Sequence, residues 1–420
     1  MAKKISLTKI IEWGTYLLVF LLPWQTRLIY RAASLNGGYW EYGSNSLYLT
    51  EILLWLLVVL FLVYLKKNKI RFNSERFNFL LVGLLAWSLL TAVWALDWNL
   101  AIYYWSILVT GFLLYFLVSH GPVDRIKILI SLIMAAVVQS LLAIYQFLTQ
   151  SIFASKWLGL AGHSPLDLGV FVVEYGPERW LRAYGSLPHP NMLAAFLVVA
   201  LIAVLGLSLI ADSRLKRLFV GLSWIAMIPA LLFTFSRGAW LAFSVCYLSF
   251  IIWMIVKKIK KGVTIQMLIL GVVLAAILAT IFWHPVAARV LGEQRLELLS
   301  NQERLTLYGQ SAVVIKDSWY SGVGLNNYTL AVFEKINNSW PIWAYQPVHN
   351  VYVLVLAELG IIGLLLYLAI LGYLLFARNR GIVGKLALVA LLIMGLFDHF
   401  LWSLYFGVML WWLVVGLARK

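Results

Sequence analysis

The stretch "LYLTEILLWLLVVLFLVYLKKNK", Leu47 to Lys69, decides the fold class. Apart from Thr50 and Glu51 near its start it is apolar as far as Leu65, and it then turns abruptly basic at Lys66, Lys67 and Lys69. An α-helix rises 1.5 Å per residue, so about 20 apolar residues cross the hydrocarbon core of a bilayer. Working outward from this run, polar breaks divide the chain into twelve apolar windows, at about 10–25, 47–65, 78–96, 100–119, 126–149, 191–210, 217–233, 238–256, 263–283, 351–376, 383–397 and 400–418. With 63% hydrophobic and only 12% charged residues, a soluble domain of 420 residues is excluded. The alternating ten-residue segments of a membrane barrel are absent. The expectation is an all-α polytopic membrane protein, a single integral membrane domain over residues 1–420.

A formal charge of +16 invites a nucleic-acid reading, but the distribution of the charges argues against it. With the N-terminus (Lys3, Lys4, Lys9) inside, 22 of the 33 Lys and Arg residues fall on the cytoplasmic side. They include Arg71 and Arg76, the Arg214–Lys216–Arg217 group, Lys257, Lys258, Lys260, Lys261, and Arg419 with Lys420. Positive charge is retained inside during insertion, so the excess reads as a topology signal with both termini cytoplasmic. The first window runs into "LLPWQTRLIY" with no small-residue cleavage site, which reads as an uncleaved helix. The single cysteine, Cys246, falls within a window, so the outer loops carry no disulfide.

Two outer connections are long, 150–190 and 284–348, the latter between the ninth and tenth windows. They hold Lys156, Arg179, Arg182, Arg289, Arg295, Arg304, Lys316 and Lys335 against the positive-inside trend. Such charges are either a solvated surface or a site for an anion, since arginine pairs bidentately with phosphate. In the larger loop, "SNQERLTLYGQSAVVIKDSWYSGVG" predicts an amphipathic helix at the outer surface, capped by Ser300 and Asn301 with Arg304 in its first turn. Trp319, Trp340 and Trp343 suit either an interface or a platform for sugar stacking. In "LLFTFSRGAWLAF" a tight hairpin sets Arg237 at the outer membrane surface, where it either snorkels beside Trp240 or serves a ligand. In "RWLRAYGSLPHPNMLAAF", Arg182 precedes a helix entry at which Asn191 is a cap and His189 either an entry residue or a base.

The polar-to-apolar boundary "AYQPVHNVYVLVLAELGIIG", Ala344 to Gly363, puts His349 at the mouth of the tenth window with Asn350 as its cap. Imidazole is the side chain best suited to take a proton near neutral pH. In a continuous helix of 100° per residue, Gly360 and Gly363 would lie on the face of His349, as a close helix contact or as a groove for a lipid tail. Glu358 would face the other way, toward a neighbouring helix.

His349–Asn350, nine residues, Gly360, two residues and Gly363 resemble the signature of bacterial O-antigen ligases. "TFSRGAW", "RAYGSLPHPN" and the run from Arg304 through "DSWYSGVGLNNY" look like the wider O-antigen ligase and polymerase superfamily. Leu364 and Leu365 stand where such ligases often carry threonines. The resemblance implies a metal-independent, inverting GT-C glycosyltransferase in the bacterial cytoplasmic membrane, with its active site on the outer face. It implies a glycan donor on polyprenyl (undecaprenyl) diphosphate and a lipid-anchored or glycan acceptor, as in lipopolysaccharide or polysaccharide biosynthesis. His349 would be the general base. Arg182, Arg237 and Arg304 would bind the diphosphate, Arg237 and Arg304 also stabilising it as it leaves. No cofactor, metal or nucleic acid is called for: no Asp-x-Asp occurs, and Asp167, Glu174, Glu178, Glu303 and Asp317 form no recognised metal spacing. A polymerase or a protein O-oligosaccharyltransferase would share this donor chemistry. A lipid-linked oligosaccharide flippase is the reading of another class, for which paired interrupted helices in two related halves would be the sign.

Overall fold

The computed structural model describes residues 6–69, 76–376 and 381–419. Lys3, Lys4, Arg71 and Lys420, which entered the charge argument, lie outside the described residues, as does the side chain of Arg76. The chain is mostly helical. It runs through α1 (Leu7–Leu21), α2 (Leu49–Lys67), α3 (Arg76–Leu90), α4 (Trp98–His120) and α5 (Arg125–Thr149). It continues through α6 (Pro190–Ser208), α7 (Arg214–Phe233), α8 (Arg237–Val256) and α9 (Gly262–Ile281). The long connection after α9 holds α10 (Trp283–Leu291), α11 (Arg295–Ser318) and α12 (Tyr328–Lys335). The chain closes with α13 (Val351–Phe376), α14 (Ile382–Gly395), α15 (Phe400–Ser403) and α16 (Tyr405–Ala418). Every apolar window thus contains helix, but among the described residues only α2, α4–α9 and α13 are long and apolar enough to cross a membrane. The shorter α1, α3, α14 and α16 are apolar helices of 14 or 15 residues.

The core is built around α6. Every residue from Met192 to Leu205 is buried, enclosed by α5, α7, α8 and α14. A helix apolar on all sides belongs inside a bundle, and the alanines at 194, 195, 200 and 203 let its neighbours approach closely. At the rim, α9 leaves Ile265, Ile269, Val272 and Ile277 exposed, the surface that lipid would cover.

The sequence reading omitted three small antiparallel sheets at the end of the bundle opposite Arg214 and Lys257. In the 26–48 connection, β1 (Arg27–Arg31) pairs with β4 (Asn45–Tyr48), and β2 (Ser34–Leu35) with β3 (Gly38–Tyr39). Asn36 and Gly37 both take positive φ between β2 and β3, the requirement of a two-residue hairpin turn. In the 150–190 loop, β5 (Val172–Tyr175) pairs with β6 (Glu178–Leu181). Arg179 and Arg295 both pair with Glu174, tying this hairpin to α11.

Two expectations need correcting. Helix α11 begins at Arg295, not at Ser300, with Gln294 as its N-cap residue, so Arg304 lies in its third turn rather than its first. More consequentially, α13 is not continuous: Gly360 has φ 67° and ψ −171°. The segment after α11 inserts at this break. Val323 N donates to Ala357 O (2.9 Å), Gly324 N to Glu358 O (3.0 Å) and Ile361 N to Trp319 O (2.8 Å). Trp87 Nε1 takes the Leu359 carbonyl at 2.7 Å. Backbone polar groups inside a membrane must be satisfied by protein, and here a loop does it. A Cβ on Gly360 would lie 2.1 Å from Tyr320 O, and one on Gly322 2.2 Å from Glu358 O. The glycines therefore serve a close backbone contact, and the continuous-helix projection that put a groove beneath His349 does not hold. Glu358, as expected, meets a neighbour: its Oε2 accepts from Trp402 Nε1 at 2.9 Å.

Candidate active site

The turn between α7 and α8 organises one side of the site. Only Thr234, Phe235 and Ser236 separate the helices, and Phe235 is forced to φ 47°. The carbonyls of this turn face outward and are taken by arginines. Arg182 Nε donates to Thr234 O at 2.7 Å, and Arg289 Nε to Phe235 O at 2.9 Å. Ala183 N also donates to Phe233 O, pinning the segment after β6 that carries Arg182. Arg237, the first residue of α8, pairs with Glu297 at 3.1 Å, and Arg289 pairs with the other oxygen of the same carboxylate. Glu297 is buried on α11 between two cations.

At the head of α6, His189 rather than Asn191 is the cap: its Nδ1 accepts from Asn191 N at 2.9 Å. That leaves the Asn191 amide to bridge, with Oδ1 accepting from Arg182 NH2 (2.7 Å) and Nδ2 donating to Asp398 Oδ2 (2.7 Å). Asp398 Oδ1 accepts from its neighbour's amide, His399 N, and stands 3.7 Å from His349 Nδ1. That separation is an ion-pair distance, too long for a hydrogen bond. At the head of α13 the cap is Asn350, as expected, its Oδ1 accepting from the amides of Tyr352 (2.9 Å) and Val353 (3.2 Å). His349 is relieved of capping and faces Asp398.

These groups line two adjoining cavities. One, of about 400 Å³, is bounded by Arg237, Arg289, Arg304, Asn301, Asn191 and Asp398. The next, of about 430 Å³, shares Arg289, Arg304, Asn191 and Asp398 and adds Arg182, His349 and His399. The structure thus gathers His349, Arg182, Arg237 and Arg304 from four separated stretches. Gly360 and Gly363 line neither cavity. Burial pulls the Arg182 guanidinium well below its ordinary range, and the charge of Arg289 adds to this. Burial likewise lowers Arg289, against the opposing pull of Glu297. Desolvated like charges of this kind are relieved by an anion. Arg304 has no hydrogen-bond or ion-pair partner among the described residues, so its guanidinium is open to one. Burial alone would raise the Asp398 carboxyl, but His349, His399 and His189 hold it well below the usual carboxylate range.

Sequence reasoning did not place Asp398, His399, Arg289 or Glu297 in the site. The first two sit between α14 and α15, where they read as residues beside a span. Arg289 read as one outer-loop cation among several, and nothing local marks Glu297 as buried. His349, Asp398 and His399 each offer one donor atom within 4.8 Å of the others. Such donors are of the type that binds zinc, although His399 Nδ1 is engaged with Ser403 Oγ at 2.6 Å. The same arrangement serves an imidazole held against a carboxylate.

Residues 221–368 match the family model for O-Antigen ligase. That match supports a place for this segment in the O-antigen ligase superfamily. The O-antigen ligase match takes in the arginine turn, α11, His349 and both glycines of the α13 break, and it supports a membrane glycan-transfer function. Arg182, Asn191 and Asp398 lie outside the matched O-antigen ligase segment and reach its residues only through the fold. No curated protein matches the chain.

Proposed function

We propose that the protein is an inverting glycosyltransferase that moves a glycan from a polyprenyl diphosphate carrier to an acceptor hydroxyl at the outer face of the cytoplasmic membrane. The observation that carries this reading is the juxtaposition of an imidazole–carboxylate pair, His349 and Asp398, with four arginines around adjoining cavities. The acceptor oxygen forms a bond to the anomeric carbon while the bond to the diphosphate oxygen breaks. His349 takes the acceptor proton, and the electron pair of the broken bond passes to the diphosphate. Asp398 orients the imidazole and stabilises its cationic form. Arg304 and Arg237, backed by Arg182 and Arg289, meet the charge that grows on the leaving group. Preorganised cations at such a point are usually the largest catalytic contribution. Twelve membrane passages with both termini cytoplasmic would place these cavities outside and the clusters at Lys66, Arg214 and Lys257 inside, as the positive-inside rule requires. The proposed step draws on no metal.

The test uses purified protein, a polyprenyl-diphosphate-linked oligosaccharide and an envelope glycolipid extract, with and without chelator. Polyprenyl diphosphate release matched by glycan transfer, unaffected by chelator and lost in His349→Ala, is the expected result. Loss of transfer on chelation would turn His349, Asp398 and His399 into metal ligands. Absence of transfer by the wild-type protein would overturn the reading in favour of a flippase. Product length separates single transfer from polymerisation.

A further inference from the structure

Beyond the two basic cavities lies a third, of about 390 Å³, between the β1–β4 connection and the 150–190 loop. It shares Glu41, Tyr42, His189, Met192 and Leu404 with the cavity that contains His349, so the three form a series. Its chemistry differs from that of the other two. Arg27 is its only arginine or lysine, and Glu41 holds that guanidinium through both carboxylate oxygens, at 2.5 and 2.9 Å. The cavity therefore offers no free cation to a phosphate. It offers aromatic faces and neutral hydrogen-bonding groups from Gln25, Tyr42, Tyr48, His163 and Tyr184. Among the described residues, neither the Tyr42 hydroxyl nor a ring nitrogen of His163 has a hydrogen-bond partner. Tyr42 stands at the junction of the second and third cavities, edge-on to the His399 ring with centroids 5.8 Å apart. Flat apolar faces combined with a few unspent polar groups are the lining of a small-molecule site, and the volume falls within the usual range of about 300–1,000 Å³.

The direction of the reaction assigns this chamber. In a single displacement the entering oxygen and the leaving diphosphate occupy opposite sides of the anomeric carbon. The arginines mark the leaving side. The acceptor must then approach from the other end of the series, past Tyr42. We infer that the third cavity holds the acceptor and that the acceptor is a neutral pyranose, bound by Tyr42 and His163 with its attacking hydroxyl extended toward His349. This rests on the transferase reading and deepens it: it separates a saccharide acceptor from a serine- or threonine-bearing peptide, which would not need a chamber of aromatic faces and unspent neutral polar groups.

Tyr42→Phe and His163→Ala are the test, each in the full-length protein. Tyr42→Phe keeps the ring and removes only the hydroxyl, and thermal unfolding of both variants shows whether they are folded. The donor is a polyprenyl-diphosphate-linked oligosaccharide, and the two acceptor probes are the envelope glycolipid extract and a Ser/Thr-rich peptide. Loss of one hydrogen bond to the acceptor raises its half-saturating concentration about 2- to 10-fold in either variant. Half-saturation for the donor and the rate at saturating acceptor stay within about twofold. An unchanged response to acceptor, or a shift confined to the donor, overturns the assignment. So does efficient wild-type transfer to the peptide that His163→Ala leaves intact. A wild-type protein inactive with both probes would instead remove the transferase reading itself, a different result from a mis-assigned chamber.

Discussion

Two of the apolar helices, α6 and α13, begin at the same end of the bundle with a histidine beside an asparagine, and they divide the work in opposite ways. At α6 the sequence is His189–Pro190–Asn191: the histidine caps the helix and the asparagine is free to bridge Arg182 and Asp398. At α13 it is His349–Asn350: the asparagine caps and the histidine is free to face Asp398. Whichever side chain is released from the orphan amides of a helix start becomes available for chemistry. Both released groups converge on one carboxylate.

The sharpest way to break this contrast is to remove each histidine in turn. His349→Ala should lower the transfer rate by about 10²–10⁴-fold, the usual contribution of a positioned base, while leaving donor half-saturation within a few-fold. A comparable loss in His189→Ala would show that both imidazoles act on protons and that the division of labour is wrong.

The second expected effect contrasts an unbroken helix with a broken one. Ala200 sits mid-helix in α6, whereas Gly360→Ala in α13 would meet both a left-handed φ and the Tyr320 carbonyl. A destabilisation of about 3 kcal/mol or more is expected, read as a lowered melting temperature in detergent. Third, Asp398→Asn removes the negative charge beside His349 and should cost about 10–10²-fold in rate, the scale of losing a close opposite charge. Retained rate with a shifted pH profile would identify Asp398 as tuning the base rather than orienting it.

The smallest effect belongs to the capping histidine. His189→Ala should cost about 1 kcal/mol of stability, while His189→Asn, which caps equally well, should cost less. Burial pushes His189 down to about 3, against about 6.5 in an unfolded chain. As pH falls below about 6.5 the unfolded chain binds the proton first, so this group's contribution to stability declines progressively towards pH 3. His189→Asn should remove that part of the acid sensitivity, measured by unfolding at pH 7.5 and pH 5.

The helical class, the apolar windows and four residues that the structure brings together, His349, Arg182, Arg237 and Arg304, could be picked out of the sequence because hydrophobic runs, Asn350 and arginines outside the basic clusters are local signals. Asn191 misled, because His189–Pro190–Asn191 contains two residues able to cap and only the packed structure decides between them. Asp398 and Glu297 were invisible in their roles, since a carboxylate's partners are set by distant chain segments. Gly360 was read as a close helix contact or a groove, not as a break. Periodicity assumes a continuous helix, and the loop that interrupts it comes from residues 319–324.

That interruption makes a mechanical splice. α11 carries Arg304, α13 carries His349 at its head, and residues 319–324 are bonded into α13 at 357–361. The covalent route from α11 to α13, residues 319–350, includes α12, so this joint is a second, shorter link between the two helices. Arg304 and His349 thus ride on two helices that share one buried backbone joint.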